Sequence, residues 1–354
     1  MTARLIIAGI PHPHVCDTAR LLVRDLGVGG IILFRRNIES PEQTHALIRE
    51  LKSLRHAPLI VSVDQEGGRV QRLRAPLTEF PPMRKVAEGG EAIAQAVGAQ
   101  LGRELRAIGF DLDFAPVVDV DSNRHNPVIG DRSFARDPVR VSQLAVALLQ
   151  GLQAEGVDAC AKHFPGHGDT LEDSHRELPA LPHALARLRK VEWPPFVAAA
   201  KAGVASMMTA HVMFPALDAE WPATLSPRIL AALREEIGFH GAVVSDDLEM
   251  KAIADRYSVP DAAVQAIRAG CDTVLICHQV ERIQASADAI ERARRDGTLP
   301  EARFQEALTR TQALTARPPA AGDYRAAAAP SGALAQWLAA NAPAQLADPT
   351  EAVS

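Results

Sequence analysis

The stretch PVRVSQLAVALLQGLQAEGVDACAKHF (138–164) contains one helix-and-strand unit, and the repetition of this unit along the chain predicts the fold. Its first part, residues 138–156, has the apolar spacing of an amphipathic helix and ends at a glycine. Asp137 precedes Pro138, which is typical of an N-cap followed by the first helical residue. Residues 159–164 then form a short apolar run, as expected of a strand that is buried on both faces of a parallel sheet. The stretch therefore predicts a helix, a glycine and a parallel strand.

The same unit recurs along the chain. Helical patterns cover residues 40–54, 91–109 and 226–238, and a glycine that suits a left-handed C-cap precedes several apolar runs, at Gly109, Gly156, Gly203, Gly238 and Gly270. The other apolar runs that predict strands are LIIAGI (5–10), GGIILF (29–34), LIVSVD (59–64), DLDFAP (111–116), ASMMTAH (205–211), AVVSDD (242–247) and DTVLIC (272–277).

Strands that alternate with helices indicate a parallel α/β sheet, and eight of them predict a single-domain (β/α)8 TIM barrel over residues 1–316. An open, doubly wound sheet is the alternative, which the lack of a GxGxxG motif after the first run weakens. Residues 317–354 form a tail rich in alanine and proline, in which we predict one short helix around 334–340.

Composition and charge restrict the possible partners and location. The net charge of −5 gives no reason to expect nucleic acid or an anionic membrane as a partner. No apolar run approaches the roughly 20 residues that span a bilayer, and the first residues lack the pattern of a secretory leader. We therefore expect a cytoplasmic monomer that acts on a small molecule. Its four cysteines, Cys16, Cys160, Cys271 and Cys277, are expected to be free thiols.

Polar residues gather where the apolar runs end. In a barrel of this kind the carboxyl ends of the strands form the active site, and charged groups there are costly unless they are paired or used. Their clustering at the ends of several strands predicts a functional site, and the residues in question are Asp64, Asp119, Asp121, Lys162, His163, His211, Asp246 and Asp247. We expect Asp247 to have a structural role.

The segment KHFPGHGDTLEDSH (162–175) is expected to form a mobile loop above the barrel, because its proline and its glycines, Gly166 and Gly168, oppose a helix. Asp173 stands two residues before His175, so its carboxylate can accept the imidazole N–H and raise the basicity of the ring. A zinc site made of His163, His167, Asp169 and His175 is the alternative. It is disfavoured because the glycines remove the shared helical face, and we expect no metal or cofactor.

At these residues the sequence resembles the β-N-acetylhexosaminidases of glycoside hydrolase family 3, in their short, single-domain bacterial form. The resemblance covers about residues 5–315. Its motifs are DQEGGRVQRL (64–73), FAPVVDV (114–120), KHFPGHGDT with the following DSH (162–175), and SDDLEM (245–250).

The resemblance implies a set of roles. Asp246 would be the nucleophile, and Asp173 with His175 would form an acid/base dyad on the loop. The residues that would hold the sugar are Asp64, Arg72, Arg132, Lys162 and His163. The substrate class it implies is a muropeptide, from which N-acetylglucosamine is removed at its β-1,4 link to anhydro-muramic acid during cytoplasmic cell-wall recycling, a process related to cell division and antibiotic resistance. Retaining glycosidases need a nucleophilic carboxylate and a proton donor, which these residue types supply.

Three other functions remain possible at this stage. A Schiff-base aldolase would use Lys162 as the amine, which requires a lysine with a lowered pKa. A non-catalytic sugar-binding barrel would have no use for the Asp173–His175 pair. A phosphorylase would attack the same glycosyl-enzyme with phosphate, which a neutral histidine repels less than a carboxylate would.

Overall fold

The computed structural model describes residues 2–174, 177–314 and 324–341. Eight parallel strands close into a barrel in the order β1-β10-β9-β8-β7-β6-β3-β2, so the predicted barrel is confirmed and the open sheet is wrong. The barrel strands are β1 (Ile6–Gly9), β2 (Gly30–Leu33), β3 (Ile60–Val63), β6 (Leu112–Asp113), β7 (Asp158–Phe164), β8 (Ser206–Thr209), β9 (Ala242–Asp247) and β10 (Thr273–Ile276). A small antiparallel hairpin, β4 (Gln65–Gly67) and β5 (Val70–Gln71), follows β3.

Helices lie between the strands. Within the described residues they are α1 (Asp17–Arg20), α2 (Pro41–Ser53), α3 (Met83–Val86), α4 (Gly90–Ile108), α5 (Pro138–Ala154), α6 (Leu185–Lys190), α7 (Pro194–Lys201), α8 (Pro227–Glu235), α9 (Lys251–Ala254), α10 (Val259–Ala269), α11 (Val280–Arg295), α12 (Glu301–Ala313), α13 (Tyr324–Ala327) and α14 (Gly332–Ala340). A π-helical segment, Leu21–Leu26, continues α1. None of these helices is long and apolar enough to cross a membrane.

The predicted helix ends are confirmed. The side chains of Ser40, Asp137 and Ser226 each accept a hydrogen bond from the backbone N–H three residues ahead, and a proline follows each of them. The five glycines expected before strands all have φ between 74° and 136°. A side chain would be strained in this conformation, so these glycines end the helices where the sequence indicates.

Both faces of the barrel strands are buried, which explains why the strands are continuous apolar runs. One set of side chains fills the barrel interior, and it includes Ile7, Ile32, Ile60, Leu112, Phe114, Cys160, Met208, Val244 and Leu275. Leu314, which follows α12, packs with this set. The alternate residues pack outward against the helices in a second, larger core. The barrel is therefore filled, and it is not a channel.

The described part of the tail packs against the barrel. The helix α14 lies at the residues where a short helix was predicted, and its Leu334 is buried. The Gln100 side chain donates a 2.6 Å hydrogen bond to the carbonyl of Ala327. The predicted boundary at residue 316 lies outside the described residues and stays a prediction.

Helices α4 and α5 approach each other at two glycines. A Cβ added to Gly98 would lie 2.1 Å from the carbonyl oxygen of Leu148, and one added to Gly151 would lie 2.2 Å from that of Gln95. Real Cβ contacts are never this short, so each alanine would push two backbones apart.

We expect Gly98→Ala and Gly151→Ala each to lower the free energy of unfolding by about 1–3 kcal/mol, the usual cost of overpacking. Alanine in a helix is intrinsically favoured over glycine by about 1 kcal/mol, so the contact with the other backbone determines the sign. Urea unfolding measures the effect, with Gln150→Ala at an exposed position of α5 as the control. A gain in stability on either substitution would contradict the close packing of these helices.

Candidate active site

A cavity of about 220 Å³ opens at the carboxyl ends of the barrel strands. Its floor consists of apolar side chains from the barrel interior, among them Phe114, Met208 and Leu275. Most of the residues to which the sequence assigned a role line its walls, namely Asp64, Arg72, Arg132, Lys162, His163 and Asp246. The structure therefore brings together side chains that are up to 182 positions apart in the chain.

A network of charges occupies one side of this cavity. The ammonium group of Lys162 lies 2.7 Å from Asp64 Oδ1 and 2.6 Å from Glu66 Oε1. The guanidinium group of Arg132 donates two hydrogen bonds of 2.8 Å to the two oxygens of Glu66. Arg72 adds a longer contact, 3.8 Å from its Nη2 to Asp64 Oδ2. We refer to these five residues as the charge network.

The network fixes the ionisation of two of its members, Glu66 and Lys162. Burial alone would raise the pKa of Glu66, but the charges of Arg132 and Lys162 hold it well below its usual range. Burial would likewise lower the pKa of Lys162, but Asp64 and Glu66 raise it well above its ordinary value. A Schiff-base lysine must lose its proton easily, so this environment argues against the aldolase interpretation.

Glu66 has no role among those expected from the sequence, although it pairs with both Arg132 and Lys162. It lies in the DQEGGRVQRL motif, two residues after Asp64, and its side chain is almost fully buried. The available signal was a charged residue in a segment that is otherwise buried, because a buried carboxylate implies a cation beside it. Arg132 therefore pairs directly with the Glu66 carboxylate.

His163 is held by a buried carboxylate behind it. Its Nδ1 lies 2.7 Å from Asp119 Oδ2, and its backbone N–H donates to the same oxygen. Burial would raise the pKa of Asp119, but His163 and its other partners lower it, so the carboxylate is ionised. In the neutral ring this contact makes Nδ1 the donor and leaves Nε2 as the acceptor. The peptide bond between Lys162 and His163 is cis.

Asp246 and Asp247 end β9 and differ in their surroundings. Asp246 Oδ1 accepts a 2.8 Å hydrogen bond from the backbone N–H of Asp247. Asp247 accepts from the backbone N–H of Glu249 and lies 3.2 Å from His278 Nε2. These contacts tie Asp247 to the loop after β9 and to the residues that follow β10. Asp247 also lines the cavity beside Asp246, and its structural role stays a prediction.

The loop after β7 is packed against the barrel in its first part. His167 and Thr170 are buried, and a Cβ on Gly168 would lie 1.8 Å from the carbonyl oxygen of Val120. Gly168 is therefore required by a close backbone contact, and the expectation that it makes the loop mobile is not supported. Further along, Leu171 is 67% exposed.

The structure does not place the whole predicted dyad. Asp173 is half-buried and does not belong to the described residues that line the cavity, although its neighbour Ser174 does. His175 lies outside the described residues.

Of the zinc ligands weighed above, the described ones do not form a site. The rings of His163 and His167 pack against each other, with centroids 5.8 Å apart. His167 contacts two hydroxyl groups, and Asp169 lies 2.7 Å from His183 Nε2 and 3.3 Å from Arg187. Within residues 2–174, 177–314 and 324–341 no group of three or more histidine, cysteine or acidic residues could hold a metal ion.

Other polar residues at the strand ends are structural. His211 is buried between the hydroxyl of Thr224 and the carbonyl of Asp247. Asp121 pairs with Arg84 and Arg136 outside the cavity.

The cysteines are free thiols, as expected. Burial raises the pKa of Cys160 and of Cys271 to about 12, which makes both unreactive near neutral pH.

Known proteins with similar sequences match most of the chain. Residues 5–314 match the family described as Glycosyl hydrolase family 3 N terminal domain. The chain is 41% identical over 289 residues to a β-hexosaminidase of Thiobacillus denitrificans, which covers 79% of this chain and 80% of the relative. It is 39% identical over 306 residues to a β-hexosaminidase of Neisseria meningitidis serogroup C, with coverages of 84% and 82%.

Solved structures agree with these relatives. A glycoside hydrolase family 3 β-N-acetylglucosaminidase from Paenibacillus superimposes with a TM-score of 0.87 at 41% identity, over 94% of this chain and 63% of that longer one. NagZ from Neisseria gonorrhoeae superimposes with a TM-score of 0.80 at 36% identity, over 95% of this chain and 96% of its own.

We expect Glu66→Gln to lower the free energy of unfolding by on the order of 3 kcal/mol, because it leaves Lys162 and Arg132 buried with one carboxylate fewer. The matched control is Glu79→Gln, which removes a partly exposed pair with Arg74 and should change stability by less than about 0.5 kcal/mol. Urea unfolding of both variants tests the comparison. Equal effects at the two positions would show that Glu66 does not hold the network together.

Proposed function

The chain belongs to glycoside hydrolase family 3, and from this premise we propose that it is a retaining exo-β-N-acetylglucosaminidase. Its proposed substrates are β-1,4-linked muropeptide fragments, from which it releases terminal N-acetylglucosamine during cell-wall recycling. We propose further that it acts in the cytoplasm, as a monomer and without a cofactor. The observation that supports this most is the position of Asp246, at the end of β9, in one cavity with the charge network.

The shape of the cavity supports removal of a terminal sugar. Phe114, Met208 and Leu275 close the floor, so a glycan chain cannot pass through the barrel, and in the proposed role the cavity receives the end of the chain. Asp64 is the more exposed of the two carboxylates on Lys162, with 16% of its side chain accessible. In the proposed role, it accepts hydrogen bonds from sugar hydroxyls, while Lys162 and Arg72 hold it in place.

The proposed reaction has two steps. In the first, a carboxylate oxygen of Asp246 attacks the anomeric carbon, the bond to the leaving oxygen breaks, and that oxygen takes a proton from His175. In the second, His175 removes a proton from water, the water oxygen attacks the anomeric carbon, and Asp246 leaves as a carboxylate. Asp173 orients the imidazole in both steps. Two displacements at one carbon restore its configuration.

For the nucleophile, we expect Asp246→Asn to lower kcat by several orders of magnitude while the fold stays intact, because the amide cannot form the glycosyl-enzyme. Activity on a chromogenic β-N-acetylglucosaminide measures this, and the β-glucoside tests the need for the N-acetyl group. Asp255→Asn, at an exposed position shortly after β9, is the control and should keep full activity. A fluorinated glycosyl inactivator should label Asp246, and a label on Asp64 or Asp173 would refute the assignment.

For the dyad, we expect His175→Ala to be nearly inactive on disaccharides, whose leaving oxygen needs a proton. On a dinitrophenyl glycoside the first step should survive, so that product appears as a burst followed by slow turnover. Asp173→Ala should show a weaker form of this pattern, and Glu172→Ala, the neighbouring carboxylate, should not show it. Equal losses on good and poor leaving groups without a burst would remove His175 from the acid/base role.

A further inference from the structure

Ser174 is a buried residue of the loop after β7, and it separates the two residues of the proposed dyad in the sequence. Ser174 is 1% exposed and lines the cavity, and it stands between Asp173 and His175. Consecutive Cα atoms are about 3.8 Å apart, so whatever holds Ser174 also restricts Asp173. The proposed function gives roles to both neighbours and none to Ser174.

Ser174 is held from two directions. Its hydroxyl Oγ lies 3.0 Å from Nε2 of His167, in the packed first part of the same loop. Its carbonyl oxygen accepts a hydrogen bond of 3.3 Å from the backbone N–H of Ala252. Ala252 belongs to α9, which begins five residues after Asp246. Ser174 therefore connects the loop of the proposed dyad to the segment that follows the proposed nucleophile.

His167 is itself fixed, so it can act as a rigid partner. Its backbone N–H donates to Asp119 Oδ1 at 2.7 Å, and its Nδ1 lies 2.8 Å from the hydroxyl of Thr170. The carbonyl of His167 accepts from the Asn126 side chain at 2.8 Å. Burial lowers the pKa of the imidazole to about 4, so the ring is neutral at pH 7 and bonds through one N–H and one lone pair.

The Asp119 carboxylate, which accepts from the backbone of His167, also holds His163. Asp119 Oδ2 contacts the His163 ring, while Oδ1 holds the backbone of His167. His163, one of the residues expected to hold the sugar, and the loop of the proposed dyad thus share the buried carboxylate of Asp119. The hydrogen bond between His167 and Ser174 extends this connection along the loop.

We propose that Ser174 and His167 are positioning residues: their hydrogen bond sets where Asp173 and His175 stand relative to Asp246. This inference rests on the proposed function, because it needs an acid/base on the loop to position. Loss of the bond displaces the proton donor, whereas Asp246 keeps its own contacts. The consequence is a defect that depends on whether the leaving group needs a proton.

The test compares Ser174→Ala and His167→Phe with the wild type on two substrates. These are N,N′-diacetylchitobiose, a poor leaving group, and dinitrophenyl β-N-acetylglucosaminide, a good one. The ratio of the two rates within one enzyme does not depend on how much of it is folded. We expect first-step rates on the disaccharide to fall by about tenfold to a hundredfold, which is the usual cost of a misplaced catalytic group. Burst rates on the aryl glycoside should stay nearly unchanged.

Three controls make the result specific. Ser122→Ala removes a hydroxyl that contacts Arg187 beside the loop and lies outside the cavity, and it should leave the ratio unchanged. Ser174→Thr keeps the hydroxyl and should restore much of the ratio. The double variant Ser174→Ala with His167→Phe should lose no more than either single variant, because both remove the same bond.

An unchanged ratio in Ser174→Ala, or additive losses in the double variant, would overturn the positioning role. A wild type that is inactive on both substrates would instead overturn the proposed function, and the positioning role with it.

Discussion

The arrangement of the site depends on one buried contact, in which the ammonium group of Lys162 lies between the carboxylates of Asp64 and Glu66. A buried cation of this kind is tolerated only when anions compensate it, and a buried carboxylate such as Glu66 needs cations in turn. Arg132 supplies the second cation to Glu66. Because these charges hold one another, the Asp64 side chain is held in place where it lines the cavity.

The remaining parts of the site attach to the same framework. His163 follows Lys162 in β7 and is held by Asp119, and Asp119 also holds the first part of the loop after β7. Asp246 stands on another strand of the barrel. In the proposed mechanism the barrel supplies strand ends for binding and nucleophilic attack, while a loop supplies the proton donor. This division suits a reaction in which one group must act first as an acid and then as a base.

The fold could be read from the sequence because its signals are local. Apolar runs, a serine or aspartate before proline, and a glycine after several of the helices depend only on neighbouring residues, and they placed the strands correctly. The site was predictable in part: polar strand ends indicated where it lies, and the family resemblance supplied the individual roles. The partners of Glu66, Ser174 and Gly168 could not be predicted, because Arg132, Ala252 and Val120 are distant from them in the chain.

In the proposed mechanism Asp246 attacks the sugar and forms a covalent intermediate. The configuration of the first sugar released distinguishes this mechanism from direct attack by water. Proton NMR of a β-N-acetylglucosaminide digest, followed from the first minutes, separates the two anomers before they interconvert. A double displacement releases the β anomer first, and the α anomer then grows by mutarotation. Initial release of the α anomer would mean that water attacks the substrate directly, and Asp246 would then not be a nucleophile.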